Sequence, residues 1–112
     1  MAYDTDLADR IREHLSGERF TEKKMFGGLA FLIGGNMSVA ASGQGGLLVR
    51  VDPDQTATLL TEQGAEEFDM GGRGMMKGWL RVNPSVLDDD KTLAKWVRRG
   101  ADYARALPAK KS

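Results

Sequence analysis

The stretch Gly71-Gly72-Arg73-Gly74-Met75-Met76-Lys77-Gly78 places two cations among four glycines in eight residues. Backbone N–H groups of such a loop, with the charges of Arg73 and Lys77, suit an anion. Arg50 and Arg81 complete a candidate set for an anion or an acidic partner: Arg50, Arg73, Lys77 and Arg81. The spacing matches neither G-x-G-x-x-G nor G-x-x-x-x-G-K-[ST], and a strand rather than a helix follows, so no cofactor is implied. A plain turn is the simpler reading, since glycine opposes helix and strand alike. Nucleophilic chemistry has little to work with. His14 is the only histidine, cysteine is absent, and no serine sits in a G-x-S-x-G elbow. Glu66, Glu67 and Asp69 alternate rather than converge, and Asp88-Asp89-Asp90 is explained by helix capping, so no metal site is assigned. The expectation is a protein with no catalytic residues and no enzyme activity of its own; the alternative is a small-molecule or anion-binding domain, or an enzyme, that uses the 71–78 glycine loop.

Sixteen basic and sixteen acidic residues cancel, but unevenly along the chain. Asp52 to Asp69 holds six acids and no bases, while Lys91 to Lys111 holds seven bases and one acid. Lys91, Lys95, Arg98, Arg99 and Arg105 form a candidate nucleic-acid face on the last helix, provided they are exposed and unpaired. Zero net charge weighs against that reading, because nonspecific affinity follows the number of phosphates neutralised.

The run Met25-Phe26-Gly27-Gly28-Leu29-Ala30-Phe31-Leu32-Ile33 is apolar on both faces of a strand. Met25, Leu29, Phe31 and Ile33 share one face; Phe26, Ala30 and Leu32 share the other. A strand with one wet face alternates apolar with polar, so this one needs a second cover. Met75 and Met76 add flexible apolar side chains of the kind that suits adaptable contacts. Phe26, Ala30, Leu32, Met75 and Met76 are therefore the candidate interface, for a homodimer or another protein partner; the competing reading is intramolecular, with the first helix or Met75 and Met76 folded back over that face.

The elements that position these residues follow from pattern and punctuation. Residues 4–16 read as a helix, with Leu7, Ile11 and Leu15 every fourth residue and Gly17 at its end. Lys23 to Ile33 reads as one long strand, with Gly34-Gly35 as a hairpin turn. Asn36 to Ala41 returns, with Met37, Val39 and Ala41 on one face and Ser38 on the other. Gly46 to Val51 completes a three-stranded antiparallel meander. Asp52-Pro53-Asp54-Gln55 opens a helix with a cap and a proline in its first turn, and Gly64 closes it. Two more strands follow, Glu66 to Met70 and Trp79 to Val82, with 71–78 between them as a loop. The last helix runs from Asp89 or Asp90 to Ala106 and buries Leu93, Trp96, Val97 and Leu107 against the sheet. Phe31, Leu47, Val49 and either Met25 or Phe26 complete the expected core.

Met25-Phe26-Gly27-Gly28, Phe31, Gly35, Met37, Leu48-Val49-Arg50-Val51, Phe68, Met75, Trp79, Val82-Asn83-Pro84, Leu93 and Trp96 together resemble the N-terminal domain of TfoX (Sxy), the regulator of bacterial competence genes. The resemblance spans nearly the whole chain. It implies an α+β fold of two layers, an antiparallel sheet with helices, in the order helix, three strands, helix, two strands, helix. It supplies no catalytic residue to carry over. The regulators also carry a C-terminal helical domain, which the 112 residues here do not include. The chain is thus expected to be a single domain over residues 1–112 and a regulatory protein-interaction module tied to transcription or competence. A cytoplasmic location is expected, since no secretory signal is visible and no apolar run approaches the ~20 residues of a membrane span.

Overall fold

The computed structural model describes residues 4–25, 27–43, 45–69 and 75–108, with the backbone alone described at Met25, Asp69, Met75, Met76 and Lys77. The fold is α+β. Helix α1 (Thr5–His14) is capped by the Asp4 carboxylate, which accepts from the N–H groups of Asp6 and Leu7. Strands β1 (Thr21–Met25), β2 (Gly28–Ile33), β3 (Asn36–Ala41) and β4 (Leu47–Arg50) follow. A 3-10 turn (Pro53–Gln55) leads into α2 (Thr56–Leu59), then β5 (Ala65–Asp69), β6 (Met75–Val82), α3 (Pro84–Leu87) and α4 (Asp90–Ala106). The six strands form one antiparallel sheet in the order β1-β2-β3-β4-β6-β5.

Two corrections concern the strands. The long first strand is two strands: Met25 pairs with Gly28, so the chain reverses between them and adds β1 at the sheet edge. Gly28 lies so close to β3 that a Cβ there would collide with the Ala41 carbonyl oxygen. Residues Met75 to Gly78 are not loop but the first half of β6. Gly78 takes φ 91, its carbonyl accepts from the Val51 N–H, and its own N–H donates to Thr56 Oγ1. Those long-range bonds override the local weakness of glycine as a strand former.

Two further corrections concern helices. The helix after Asp52 is a 3-10 turn followed by the single turn of α2, and Asp52 caps the 3-10 turn, accepting from the Asp54 N–H at 2.9 Å. Pro84 does more than end a strand: with Asn83 as cap it starts α3. Leu107 lies past the end of α4 and is only half-buried.

Helix α4 packs across β2, β3 and β4, and α1 packs against α4 and β3. Together they bring Leu7, Ile11, Leu15, Leu93, Trp96 and Val97 onto Phe31, Val39, Leu47, Val49 and Leu80, all buried. Gly100 lets α4 approach the sheet, because a Cβ there would strike the Ser38 carbonyl oxygen. Arg10 and His14 of α1 reach Asp90, the first residue of α4, at 3.3 and 3.0 Å. Hydrogen bonding from His14, then from Arg10, holds the Asp90 carboxyl below its ordinary pKa.

Candidate functional site

The sheet carries a second apolar cluster on the face turned away from that core. Its floor is Ala30, Ala40 and Leu48, which are buried. Leu32 and Met37 pack against one side of this floor, Phe68 and Trp79 against the other, and all four are half-buried. The pairing register explains the placement. Lys23, Ala30, Ala40, Leu48, Arg81 and Glu66 form one row across all six strands. Leu32 pairs with Met37 only because of a bulge: Phe31 opposes Val39, so Ser38 is the extra residue. The buried Ser38 hydroxyl donates to the Phe31 carbonyl at 2.8 Å. A one-residue slip inverts the pleat, so Met37 leaves the face of Val39 and Ala41, where simple alternation puts it, and joins Leu32. Phe68 and Trp79 meet with ring centroids 6.3 Å apart at 53°.

A polar rim borders this patch. Arg81 pairs with Glu66 at 3.1 Å and donates to the Gly45 carbonyl at 2.8 Å. Asn83 donates to the other Glu66 oxygen at 3.0 Å. At the β1 edge Lys23 is exposed. An apolar centre inside a polar border, with Trp, Phe and Met represented, has the anatomy of a protein–protein contact.

The residues singled out from the sequence are distributed as follows. Of the interface set, Ala30 is floor and Leu32 is half-buried, while Phe26 lies outside the described residues, as do the side chains of Met75 and Met76. Of the anion set, Arg73 and the Lys77 side chain also lie outside them. Arg50 and Arg81 turn to different partners. The Arg50 guanidinium carbon lies 5.8 Å from the centre of the Tyr103 ring, whereas Arg81 is bound to Glu66 and Gly45. On α4, Lys95 pairs with Glu62 at 3.0 Å and Arg99 with Glu62 at 2.7 Å. Arg105 pairs with Glu18 at 2.9 Å and with Asp102. The nucleic-acid reading required five unpaired cations, and three of the five are paired; Lys91 and Arg98 are exposed, with no ion pair among the described residues.

These pairs also account for part of the charge asymmetry. Glu62, from the acidic stretch, ties down Lys95 and Arg99, from the basic one. The Arg99 hydrogen bond is the main cause holding the Glu62 carboxyl below its ordinary pKa, with Lys95 adding to it.

A cleft beside Glu62 was not anticipated from the sequence. Helix α4 covers β2 to β4, while the Pro53–Leu59 segment covers β6. Between them lies a cavity of about 350 Å³, with Val51 at its floor, Asp52, Gln55 and Leu59 on one wall, and Arg99, Asp102 and Tyr103 on the other. The i, i+3, i+4 spacing of Arg99, Asp102 and Tyr103 was a signal that they share one helix face. Among the described residues, no group of three or more His, Asp or Glu is placed to hold a metal ion, and no helix is long and apolar enough to cross a membrane.

The model of the TfoX N-terminal domain family matches residues 13–104, and the chain belongs to that family. No curated protein matches it.

Proposed function

We propose that this member of the TfoX N-terminal domain family is a regulatory protein-interaction module without catalysis of its own. In this reading the fold is two-layered, with helices over one face of the sheet and a partner taken by the other. The observation that carries it is the half-buried set Leu32, Met37, Phe68 and Trp79 on the face remote from α1 and α4. Aromatic and methionine side chains supply much of the energy of protein contacts. The lack of cysteine and the single histidine, held against Asp90 at the surface, support the non-enzymatic part. Family membership supports a role in gene regulation in the cytoplasm. The paired state of Lys95, Arg99 and Arg105 favours a protein partner over nucleic acid.

Sedimentation of the wild type and of Leu32→Glu, alone and with cytosolic fractions, tests this proposal. The expected result is association by the wild type, as a dimer or with a partner of fixed stoichiometry, that the folded variant loses. A wild type that remains monomeric and unbound, beside a variant that cannot fold, would make the face internal core and end the proposal.

A further inference from the structure

We propose that the cleft between the Pro53–Leu59 segment and α4 binds a small zwitterion of amino-acid size. The argument starts from how its charges are shared. Lys95 and Arg99 divide a single carboxylate, Glu62, so two cations meet one anion and the trio carries a net unit of positive charge. Glu18 and Asp102 divide a single guanidinium, Arg105, so two anions meet one cation and that trio carries a net unit of negative charge. One turn of α4 thus presents a cation and an anion into the same cavity. Asp52 adds a carboxylate from the opposite wall.

Arg99 is built to read a carboxylate. Its guanidinium is stacked over Trp96, 4.7 Å from the ring centre, and one arm is fixed on Glu62. The other arm, Nη1, is buried and has no hydrogen-bond partner among the described residues, and it meets an acceptor in the cleft only after a small outward shift of the side chain. A buried donor without an acceptor is costly to maintain and marks a place where an acceptor is wanted. A guanidinium already held in position gives up little further freedom on binding. Asp102 and Asp52 suit the ammonium of the same ligand. Val51, Leu59 and the Tyr103 ring offer an apolar seat for its side chain. The cavity volume lies at the small end of ligand sites, roughly 300–1,000 Å³, which favours an amino acid over a nucleotide.

The experiment titrates the purified chain with L-phenylalanine and L-leucine by calorimetry, beside 3-phenylpropionate, which lacks the ammonium, and phenethylamine, which lacks the carboxylate. The expected result is saturable binding of at least one amino acid, with the single-charge analogues at least about tenfold weaker. Arg99→Lys keeps the charge but loses the fork, and should weaken binding at least about tenfold. Should that variant not fold, amide shift mapping on the wild type decides: the perturbed residues should lie within 51–59 and 99–103. No saturable binding up to about 10 mM, which is about −2.7 kcal/mol, overturns the proposal. So do equal binding of the single-charge analogues, unchanged affinity in a folded Arg99→Lys protein, or shifts confined to other surfaces.

Discussion

Gly100→Ala sets two effects of opposite sign against each other within α4. In an exposed helix the change would stabilise, because alanine is better than glycine by roughly 0.5–1 kcal/mol. Gly100 is buried, and its missing Cβ is what allows α4 to lie on β3. An added Cβ would overlap the Ser38 carbonyl oxygen, and would sit 2.7 Å from Val39 Cγ1 and 3.0 Å from the Ser38 carbonyl carbon. Neither neighbour gives way cheaply. Ser38 is the bulged residue, tied by its hydroxyl to Phe31, and Val39 is fully buried. Relief requires moving α4 off the sheet, in the range of overpacking costs of about 1–3 kcal/mol. The net expectation is a loss of about 1–2 kcal/mol. At about 4 °C per kcal/mol for a domain of this size, the melting point should fall by about 4–8 °C. Thermal melts followed by circular dichroism and the urea midpoint measure it. Arg98→Ala, two residues earlier and exposed, is the control and should stay within about 0.5 kcal/mol. If Gly100→Ala were as stable as the wild type or more so, propensity would have won, and the close approach of α4 to β3 would be refuted.

Val97→Asp should abolish the cooperative melt, since Val97 is 1 % exposed between helix and sheet and an unpaired charge there costs several kcal/mol; a folded variant would place the buried face of α4 elsewhere. Ser38→Ala should cost about 1–2 kcal/mol in urea, because it leaves the Phe31 carbonyl without its buried donor; an unchanged midpoint would mean that the bulge is held by other forces. Glu62→Gln should lose about 1 kcal/mol at neutral pH, the scale of a small surface network. The sign of its pH dependence follows from the lowered carboxyl. The contribution is complete above the unfolded carboxyl pKa of about 4.3 and disappears as pH falls through the folded value. Wild type and variant should therefore converge in acid, and a gap that persists at pH 2 would show that Glu62 acts through packing rather than charge.

The main helices were legible because their signals are local. Leu7, Ile11 and Leu15 repeat at helical spacing, and Leu93, Trp96 and Val97 mark one face of α4. The turn between Met25 and Gly28 was hidden, since a reversal inside an apolar run leaves the run apolar. What decides it is the proximity of Gly28 to Ala41, a contact between residues far apart in the chain. The same holds for Gly78, read as loop from its neighbours and made strand by Val51 and Thr56. The charge blocks could be counted in the sequence, but not paired. That one carboxylate, Glu62, serves both Lys95 and Arg99 is a tertiary fact, and the cleft beside it is equally invisible to composition.

The bulge at Ser38 is the point where fold and candidate interface depend on each other. Strict alternation would give Met37 to the helix-covered face with Val39 and Ala41, leaving Leu32 with a smaller neighbour on the other side. The extra residue turns Met37 over to Leu32 while Val39 keeps its place in the core. It also brings the Ser38 carbonyl to the site where Gly100 must lack a side chain. The helix packing on one face and the apolar patch on the other are thus set by the same irregularity. A variant that removed Ser38 from the chain would be expected to disturb both together: the register of Leu32 with Met37, and the seat of α4. Damage to only one of the two would show that the faces are built independently.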